Sequence, residues 1–218
     1  MTNKILSRVQ SASPKSQSKT KILAVGDVHG DSRLMKKLAE QAKEEDVDLV
    51  ILAGDLTFAE QEFKNVIKPF TDLKKQVLLI PGNHESVATT DFLAQIYPPT
   101  KNIHGYSFIH GNVGIFGAGG ADIGIHTISD SEIYDLLKKS NNSVKNLEKK
   151  IMVTHMHPKG TKSEFSGFPG SNAVRKAIET FKPDIAICAH IHEAAGVEDK
   201  IGNTRVINVS RKGKVFEV

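Results

Sequence analysis

Residues 21–30 have the sequence Lys-Ile-Leu-Ala-Val-Gly-Asp-Val-His-Gly. An apolar run followed at once by Gly, Asp and His is typical of a buried strand that ends in a polar loop. Similar apolar runs follow at Val47–Ala53 and Val77–Ile80. The intervening stretches, Ser32–Lys43 and Glu60–Leu73, have the apolar spacing of amphipathic helices. This alternation of strands and helices predicts a parallel sheet and an α/β fold.

The rest of the chain predicts further strands and helices around one irregular segment. Strands are predicted at Tyr106–Ile109 and Val113–Phe116, as a hairpin about Gly111-Asn112, and at Ile151–Thr154 and Ile185–Ala189; helices at Asp130–Ser140 and Asn172–Phe181; and closing strands suited to antiparallel pairing at Thr204–Val209 and Lys214–Val218. The segment Met156–Ser171 is rich in Gly and Pro. It is the best candidate for a functional loop, because long irregular connections in compact domains are usually functional or disordered.

The length of 218 residues fits one full domain with a short appendage. We expect residues 21–218 to form the domain and residues 1–20 a flexible basic tail, because the first 26 residues carry five Lys or Arg and no acid. An organellar transit peptide is the alternative for this Ser-rich segment. The remainder is nearly neutral, which argues against nucleic acid as a partner.

Two features bear on the cellular compartment. The single Cys188 cannot form an internal disulfide, so we expect a reducing, cytoplasmic location. The longest stretch without Asp, Glu, Lys or Arg, Asn102–Ala121, contains six Gly, two His and two Asn, and is too polar to cross a membrane. The sequence does not indicate an oligomeric state.

Polar residues of the metal-binding type directly follow five predicted strands. They are Asp27 and His29, Asp55, Asn83 and His84, His155, and His190 and His192. Because ligands of open α/β sheets gather at the carboxyl ends of the strands, these side chains can converge there. Setting His84 aside, the mixed oxygen and imidazole set suits Mn, Fe or Zn better than Ca or Mg. Seven side chains exceed the needs of one tetrahedral ion, which favours two ions that share a carboxylate.

Each motif alone has an ordinary structural explanation. An Asp at a strand end, such as Asp27, is often a helix N-cap, and an Asn such as Asn83 is often a turn residue. The His190-Ile-His192 pair is more informative, because two imidazoles on one side of a strand both need partners. Five such motifs in order, each at a strand end, favour a functional centre.

Taken together, these motifs resemble those of the calcineurin-like metallophosphoesterases. The matching blocks are Gly26–Gly30, Gly54-Asp55, Gly82–Glu85, His155 and Ala189–His192. The resemblance extends from Lys21 to the C-terminus, and the segment after His190 is similar to the small, capless branch of predicted phosphoesterases related to the Icc cyclic-nucleotide phosphodiesterase. It implies a four-layer α/β/β/α sandwich with a dinuclear metal centre.

The resemblance also implies a role for each matching residue. Asp27, His29 and His192 would hold the first metal, Asn83, His155 and His190 the second, and Asp55 would bridge the two. His84 would not bind metal; it would contact the substrate phosphate and act as the general acid that protonates the leaving oxygen. The cofactors would be two divalent ions, drawn from Mn, Fe, Zn and Ni, with Mn or Fe favoured.

The expected function is therefore metal-dependent hydrolysis of a phosphoester, most simply of a small or nucleotide-like phosphodiester. One alternative keeps the chemistry but changes the substrate to a phosphomonoester or a phosphoprotein. Another is a non-catalytic scaffold with this fold. The retention of all eight site residues argues against the scaffold.

Three departures from the family pattern stand out. The block at 54–58, Gly-Asp-Leu-Thr-Phe, lacks the second Asp of many members, which leaves open what orients the neighbouring groups. Ala189 replaces the usual Gly, and His157 stands where many relatives have a proline. We expect His157 to be a solvated loop residue, with a substrate contact as the alternative. Cys188 is expected to be a small buried hydrophobe.

Overall fold

The computed structural model describes residues 19–218. The predicted tail at residues 1–20 lies outside the described residues except for Lys19 and Thr20. Thr20 already belongs to the fold, since its backbone N–H donates to the Val218 carbonyl (3.2 Å) and its carbonyl accepts from the Val218 N–H (3.1 Å).

Strands and helices alternate in the first hundred residues, whereas strands follow one another directly at residues 100–118 and 198–217. The strands are β1 (Lys21–Val25), β2 (Leu49–Ala53), β3 (Gln76–Ile80), β4 (Thr100–Asn102), β5 (Ser107–His110), β6 (Val113–Ala118), β7 (Lys149–Thr154), β8 (Ile185–Cys188), β9 (Glu198–Ile201), β10 (Thr204–Asn208) and β11 (Lys214–Glu217). The helices are α1 (Ser32–Glu44), α2 (Lys68–Asp72), α3 (Val87–Ile96), α4 (Asp130–Asn142) and α5 (Asn172–Phe181), with short 3-10 helices at Lys162–Ser166 and His192–Ala194.

The strands form two mixed sheets. One has the order β11-β1-β2-β3-β4 and the other β5-β6-β7-β8-β10-β9. Strands β1 to β4 are mutually parallel, as are β6, β7, β8 and β10, whereas β11, β5 and β9 pair antiparallel at the edges. The parallel strands therefore bring their carboxyl ends to one side of each sheet.

Three apolar layers hold the molecule together. The two sheets pack face to face through residues such as Ile51 and Ile151. The outer face of the first sheet packs on α1, α2 and α3, for example through Leu52 and Phe70. The outer face of the second packs on α4 and α5, for example through Met152. The four-layer α/β/β/α sandwich is confirmed.

Helix α1 shows how the local sequence produces an element. The Asp31 side chain caps its first turn by accepting from the backbone N–H groups of Arg33 and Leu34 (3.1 and 2.9 Å). Its buried face, which includes Met35 and Leu38, packs on the first sheet. Full burial of side chains of this size stabilises the fold by roughly 1.5–3 kcal/mol each.

The helix predicted over Glu60–Leu73 is wrong for its first half, because only Lys68–Asp72 is helical. Ala59, Glu60, Glu62 and Asn65 all have positive φ angles, between 51° and 61°, which a right-handed helix cannot contain. The segment is instead an irregular loop beside the site. Helix α3 and strands β4 and β9 were not expected.

The closing strands differ in part from the prediction. Strand β11 pairs antiparallel with β1, as expected. Strand β10 is antiparallel to β9 but parallel to β8, so it continues the parallel part of the second sheet. Within residues 19–218, no helix combines the length and apolar character needed to cross a bilayer.

Candidate metal centre

The eight predicted site residues meet at the carboxyl ends of β1, β2, β3, β7 and β8. Four of them lie in the left-handed backbone region: Asp27 (φ 53°), His29 (φ 44°), Asp55 (φ 51°) and His190 (φ 70°). For side chains other than Gly, this conformation is strained and tends to cluster at functional sites, where it costs of order 1–3 kcal/mol per residue. This backbone conformation turns the chain sharply where it leaves each strand.

Asp27, His29 and His192 form one group of converging donor atoms. The Nε2 atoms of His29 and His192 are 3.2 Å apart, and Nε2 of His192 lies 3.6 Å from Oδ1 of Asp27. The other carboxylate oxygen of Asp27, Oδ2, accepts the backbone N–H of His190 at 2.9 Å. Asp27 thus connects the loop after β1 to the loop after β8, and its Oδ1 faces Nε2 of His192 and, at 4.0 Å, Nε2 of His155.

A second group contains Asp55, His155 and His190. Nδ1 of His190 is 3.2 Å from Nε2 of His155, which is itself 3.1 Å from Oδ1 of Asn83. The Nδ1 of His155 is 2.9 Å from the carbonyl oxygen of Ala53. Because a carbonyl only accepts, this Nδ1 carries a proton and Nε2 is directed into the site.

Asp55 lies between the two groups. Its Oδ1 accepts the backbone N–H groups of Asn83 (2.8 Å) and His84 (3.0 Å). Its Oδ2 lies 3.8 Å from Nε2 of His29 and 3.5 Å from Nε2 of His155. One oxygen is therefore used to fix the carboxylate, and the other is available to both groups at once.

The charges of this centre are strongly coupled. Burial opposes ionisation of both Asp27 and Asp55. Neighbouring histidines nevertheless hold the pKa of each carboxyl below its usual range. For Asp27 these are His192 and His155, and for Asp55 it is His155. Burial also opposes protonation of His155, but the two carboxylates raise its pKa to about 10. Burial and the charge of His155 lower the pKa of His190 to about 4.

These residues fit a pair of divalent cations. Two pairs of imidazole nitrogens face each other at 3.2 Å, and Oδ1 of Asp27 is buried without a hydrogen-bond partner. Facing lone pairs and an unpaired buried carboxylate oxygen are costly unless a cation or a proton lies between them. The mixture of imidazole, carboxylate and amide donors matches the preferences of Mn, Fe and Zn.

His84 lies beside the two groups and forms a third set of converging donor atoms with His29 and Asp55. Its Nε2 is 4.0 Å from Oδ2 of Asp55, and its ring meets that of His29 edge to face, with centroids 4.7 Å apart. The backbone N–H of Ala59 donates to its Nδ1 at 3.3 Å. A neutral His84 ring therefore carries its proton on Nε2, the nitrogen on the side of the metal-binding residues.

Glu85 is a structural element of the site that the sequence reasoning missed. Its fully buried carboxylate accepts the backbone N–H groups of Gly82 (2.8 Å), Leu56 (3.1 Å) and Thr57 (3.2 Å). Burial and the charge of Asp55 raise its pKa, against the effect of these N–H groups. Glu85 joins the loops after β2 and β3, and its position directly after His84 is the signal that could have found it.

The Ala189 departure from the family pattern is accommodated by its neighbours. A Cβ atom on Gly26 would lie only 2.5 Å from the Cβ of Ala189, so the absence of a side chain at Gly26 makes room for it. The Nδ2 of Asn208, a second missed residue, donates to the carbonyls of Ala189 (3.3 Å) and Ile191 (3.5 Å). Asn208 thereby holds the loop that carries His190 and His192.

The expectation for His157 is wrong. Its side chain is fully buried, and burial lowers its pKa. Its carbonyl accepts the backbone N–H of Ser171 at 2.9 Å, so the loop closes back over it. The 3-10 helix Lys162–Ser166 of this loop packs beside the 3-10 helix that starts at His192, which places the predicted functional loop at the site.

Cys188 is buried, as expected, and its Sγ lies 3.6 Å from the carbonyl oxygen of Ile207. Burial raises the pKa of its thiol. A thiol in this state is a poor nucleophile, so it is not a candidate for covalent catalysis.

Comparison with known proteins gives a consistent result. The family model described as calcineurin-like phosphoesterase matches residues 20–194. An uncharacterized protein of Methanocaldococcus jannaschii is 32% identical over 208 residues, which cover 88% of each chain.

Among solved structures, a protein of Thermus thermophilus is similar with a TM-score of 0.72 and 18% identity, covering 92% of this chain and 99% of that one. A structure described as a novel archaeal phosphodiesterase is similar with a TM-score of 0.53 and 16% identity, covering 91% and 99%. At these identities the two structures show the shared fold.

Proposed function

The chain belongs to the calcineurin-like phosphoesterases and is a metal-dependent phosphoesterase; from this premise we propose that it hydrolyses a small phosphodiester, with His84 as the proton donor. The observation that carries the proposal is the convergence of seven donor residues around Asp55, whose Oδ2 lies 3.8 Å from Nε2 of His29 in one group and 3.5 Å from Nε2 of His155 in the other. The family membership confirms the resemblance on which the sequence-based expectation rested.

We assign the donors to two cation sites. Asp27, His29 and His192 would hold the first ion and Asn83, His155 and His190 the second, with the Asp55 carboxylate shared between them. When bound, two divalent cations supply hydroxide at neutral pH and neutralise charge on the phosphoryl oxygens. The protein holds the donors so that this chemistry needs little reorganisation, through the backbone contacts of Asp55, Glu85 and Asn208.

His84 directs its Nε2–H group at the phosphate, and the proton on Nε2 has one of two roles. As a general acid, the ring first takes a proton from solvent on Nδ1, which breaks the hydrogen bond from the Ala59 N–H, and the cationic ring then transfers its Nε2 proton to the leaving oxygen and becomes neutral. As a hydrogen-bond donor it stabilises a phosphoryl oxygen with the contact intact. We propose the general-acid role. Hydrogen bonding to a phosphoryl oxygen is the alternative, because it leaves the Ala59 contact intact.

Two observations support a diester substrate. His29, His84 and His192 are all partly accessible, and one similar structure is described as a phosphodiesterase. A phosphomonoester or phosphoprotein substrate is the runner-up. Mn or Fe as the native ions and a cytoplasmic location also remain proposals. The scaffold alternative predicts a protein that binds its metal ions but hydrolyses no phosphoester.

The experiment is a leaving-group series on protein stripped of metal and reloaded with Mn²⁺. Wild type and His84→Ala are compared on diesters that release a nitrophenolate or a less acidic alkoxide. Loss of proton donation should lower kcat by about 10²–10⁴ for the alkoxide and by much less for the nitrophenolate.

A uniform loss across the series would leave His84 with phosphate binding alone. Faster turnover of monoesters than of diesters by the loaded wild type would replace the diester proposal with its runner-up. A loaded protein that hydrolyses no phosphoester would favour the scaffold.

A further inference from the structure

Phe58 is an exposed aromatic residue that touches the catalytic centre. Its side chain is 56% exposed, although large apolar side chains are usually buried. Its ring centroid lies 5.3 Å from that of His84, with the planes tilted by 36°, and 6.1 Å from that of His29. No part of the proposed metal or proton chemistry uses Phe58.

The backbone around Phe58 is fixed before any substrate arrives. Phe58 and Gln61 exchange backbone hydrogen bonds of 3.2 and 3.0 Å across a tight turn. On one side of Phe58, the N–H of Thr57 donates to Glu85; on the other, the N–H of Ala59 donates to His84. The backbone that carries the exposed ring is therefore held by the loops that position the site.

Apolar surface adjoins the donor set at a second place. Ile123 and Ile125 are exposed and flank Gly124, where a Cβ atom would lie 2.5 Å from Nδ2 of Asn83. The substrate therefore meets polar donors at its phosphate and apolar side chains next to them. Such a combination favours a phosphoester with an uncharged, apolar or planar group close to the phosphate.

We propose that Phe58 is a specificity-determining residue that stacks on a planar aromatic group, of the nucleobase type, attached to the scissile phosphodiester. This inference rests on the proposed phosphodiesterase function. An aromatic ring offers a planar group a face that an aliphatic side chain cannot match, and stacking of a base on such a ring is worth about 1–3 kcal/mol. Phe58 thus selects the substrate, while His84 and the metals act on its phosphate.

The test uses two cyclic phosphodiesters that differ in the base. Adenosine 2′,3′-cyclic phosphate carries a planar base, whereas glycerol 1,2-cyclic phosphate has a similar five-membered phosphodiester ring without one. Hydrolysis is followed by phosphorus NMR, with wild type, Phe58→Ala, Phe58→Leu and the control Phe63→Ala, all loaded with Mn²⁺. Phe63 is 42% exposed and lies on the same loop.

We expect Phe58→Ala to lower kcat/KM for the adenosine substrate about tenfold, the equivalent of about 1.4 kcal/mol, with little change for the glycerol substrate. Phe58→Leu should lose most of the same preference, because it keeps apolar bulk without a planar face, and Phe63→Ala should behave as wild type. Equal losses on both substrates would assign Phe58 to positioning His84 and overturn the proposal. An unchanged ratio of the two rates would also overturn it. If the wild type hydrolyses neither substrate, the phosphodiesterase assignment fails first, and the two failures are thus distinguishable.

Discussion

Replacing Glu85 by Ala should destabilise the protein markedly, although Glu85 is neither a proposed metal ligand nor a proton donor. The change leaves the buried backbone N–H groups of Gly82, Leu56 and Thr57 without their acceptor. A buried donor without a partner costs about 1–3 kcal/mol. Because water can enter the vacated space, we take the lower end for each of the three and expect a loss of about 3 kcal/mol. At about 2–4 °C per kcal/mol for a chain of this size, Tm should fall by roughly 6–12 °C.

The assay is urea and thermal unfolding followed by circular dichroism, in the presence of a chelator so that metal binding does not add to the free energy of unfolding. Glu85→Gln should be intermediate, since an amide keeps one acceptor oxygen but directs an NH₂ group at the other N–H groups. Glu60→Ala is the matched control: the Glu60 carboxylate also accepts a backbone N–H, from Ser86 at 3.0 Å, but its side chain is 40% exposed. The control should change stability by less than about 1 kcal/mol. A Glu85→Ala protein as stable as this control would refute the argument that Glu85 holds the two loops together.

Two further predictions concern metal affinity. Gly124→Ala adds a Cβ atom 2.5 Å from Nδ2 of Asn83 at a φ of +110°, so it should weaken Mn²⁺ binding about 10–100-fold in a competition titration. The control Gly111→Ala has no atom within 4 Å of its added Cβ and should leave the affinity unchanged. Equal affinities of the two variants would contradict the placement of Asn83. Because Asp55 raises the pKa of His155 to about 10, metal-free protein binds a proton there at pH 7 that Mn²⁺ must displace. Affinity should therefore fall as pH decreases from 8 to 6, and calorimetry in buffers of different ionisation enthalpy should show proton release; buffer-independent heats would contradict this.

The strands that carry the site were predictable because their own residues show the pattern of a buried strand. Buried parallel strands such as β2 are continuous apolar runs, and the donors directly follow them, so periodicity located both the sheet and the candidate ligands. The loop at residues 59–67 was not predictable in this way. Its apolar spacing resembles a helix, but four residues have positive φ angles, and two of them, Ala59 and Glu60, donate their backbone N–H groups to His84, which is distant in sequence.

Burial of His157 and the roles of Glu85 and Asn208 were likewise hidden in the sequence. Each depends on which loop packs on which: His157 is covered because Ser171 returns to it, and Asn208 reaches Ala189 only because β10 lies parallel to β8. Short-range patterns carry no information on such contacts. For His157, the polar residue type alone suggested a solvated position.

The central claim is that Asp55 joins two metal sites, and the metal content of Asp55→Asn tests it most directly. An Asn side chain can still accept the N–H groups of Asn83 and His84 with its oxygen, but it then directs an NH₂ group at the position of Oδ2. Elemental analysis after loading with Mn²⁺ and desalting should give two ions per chain for wild type and for the control His126→Ala. It should give fewer than one for Asp55→Asn, with no measurable phosphoester hydrolysis. Two ions retained by Asp55→Asn would contradict the account.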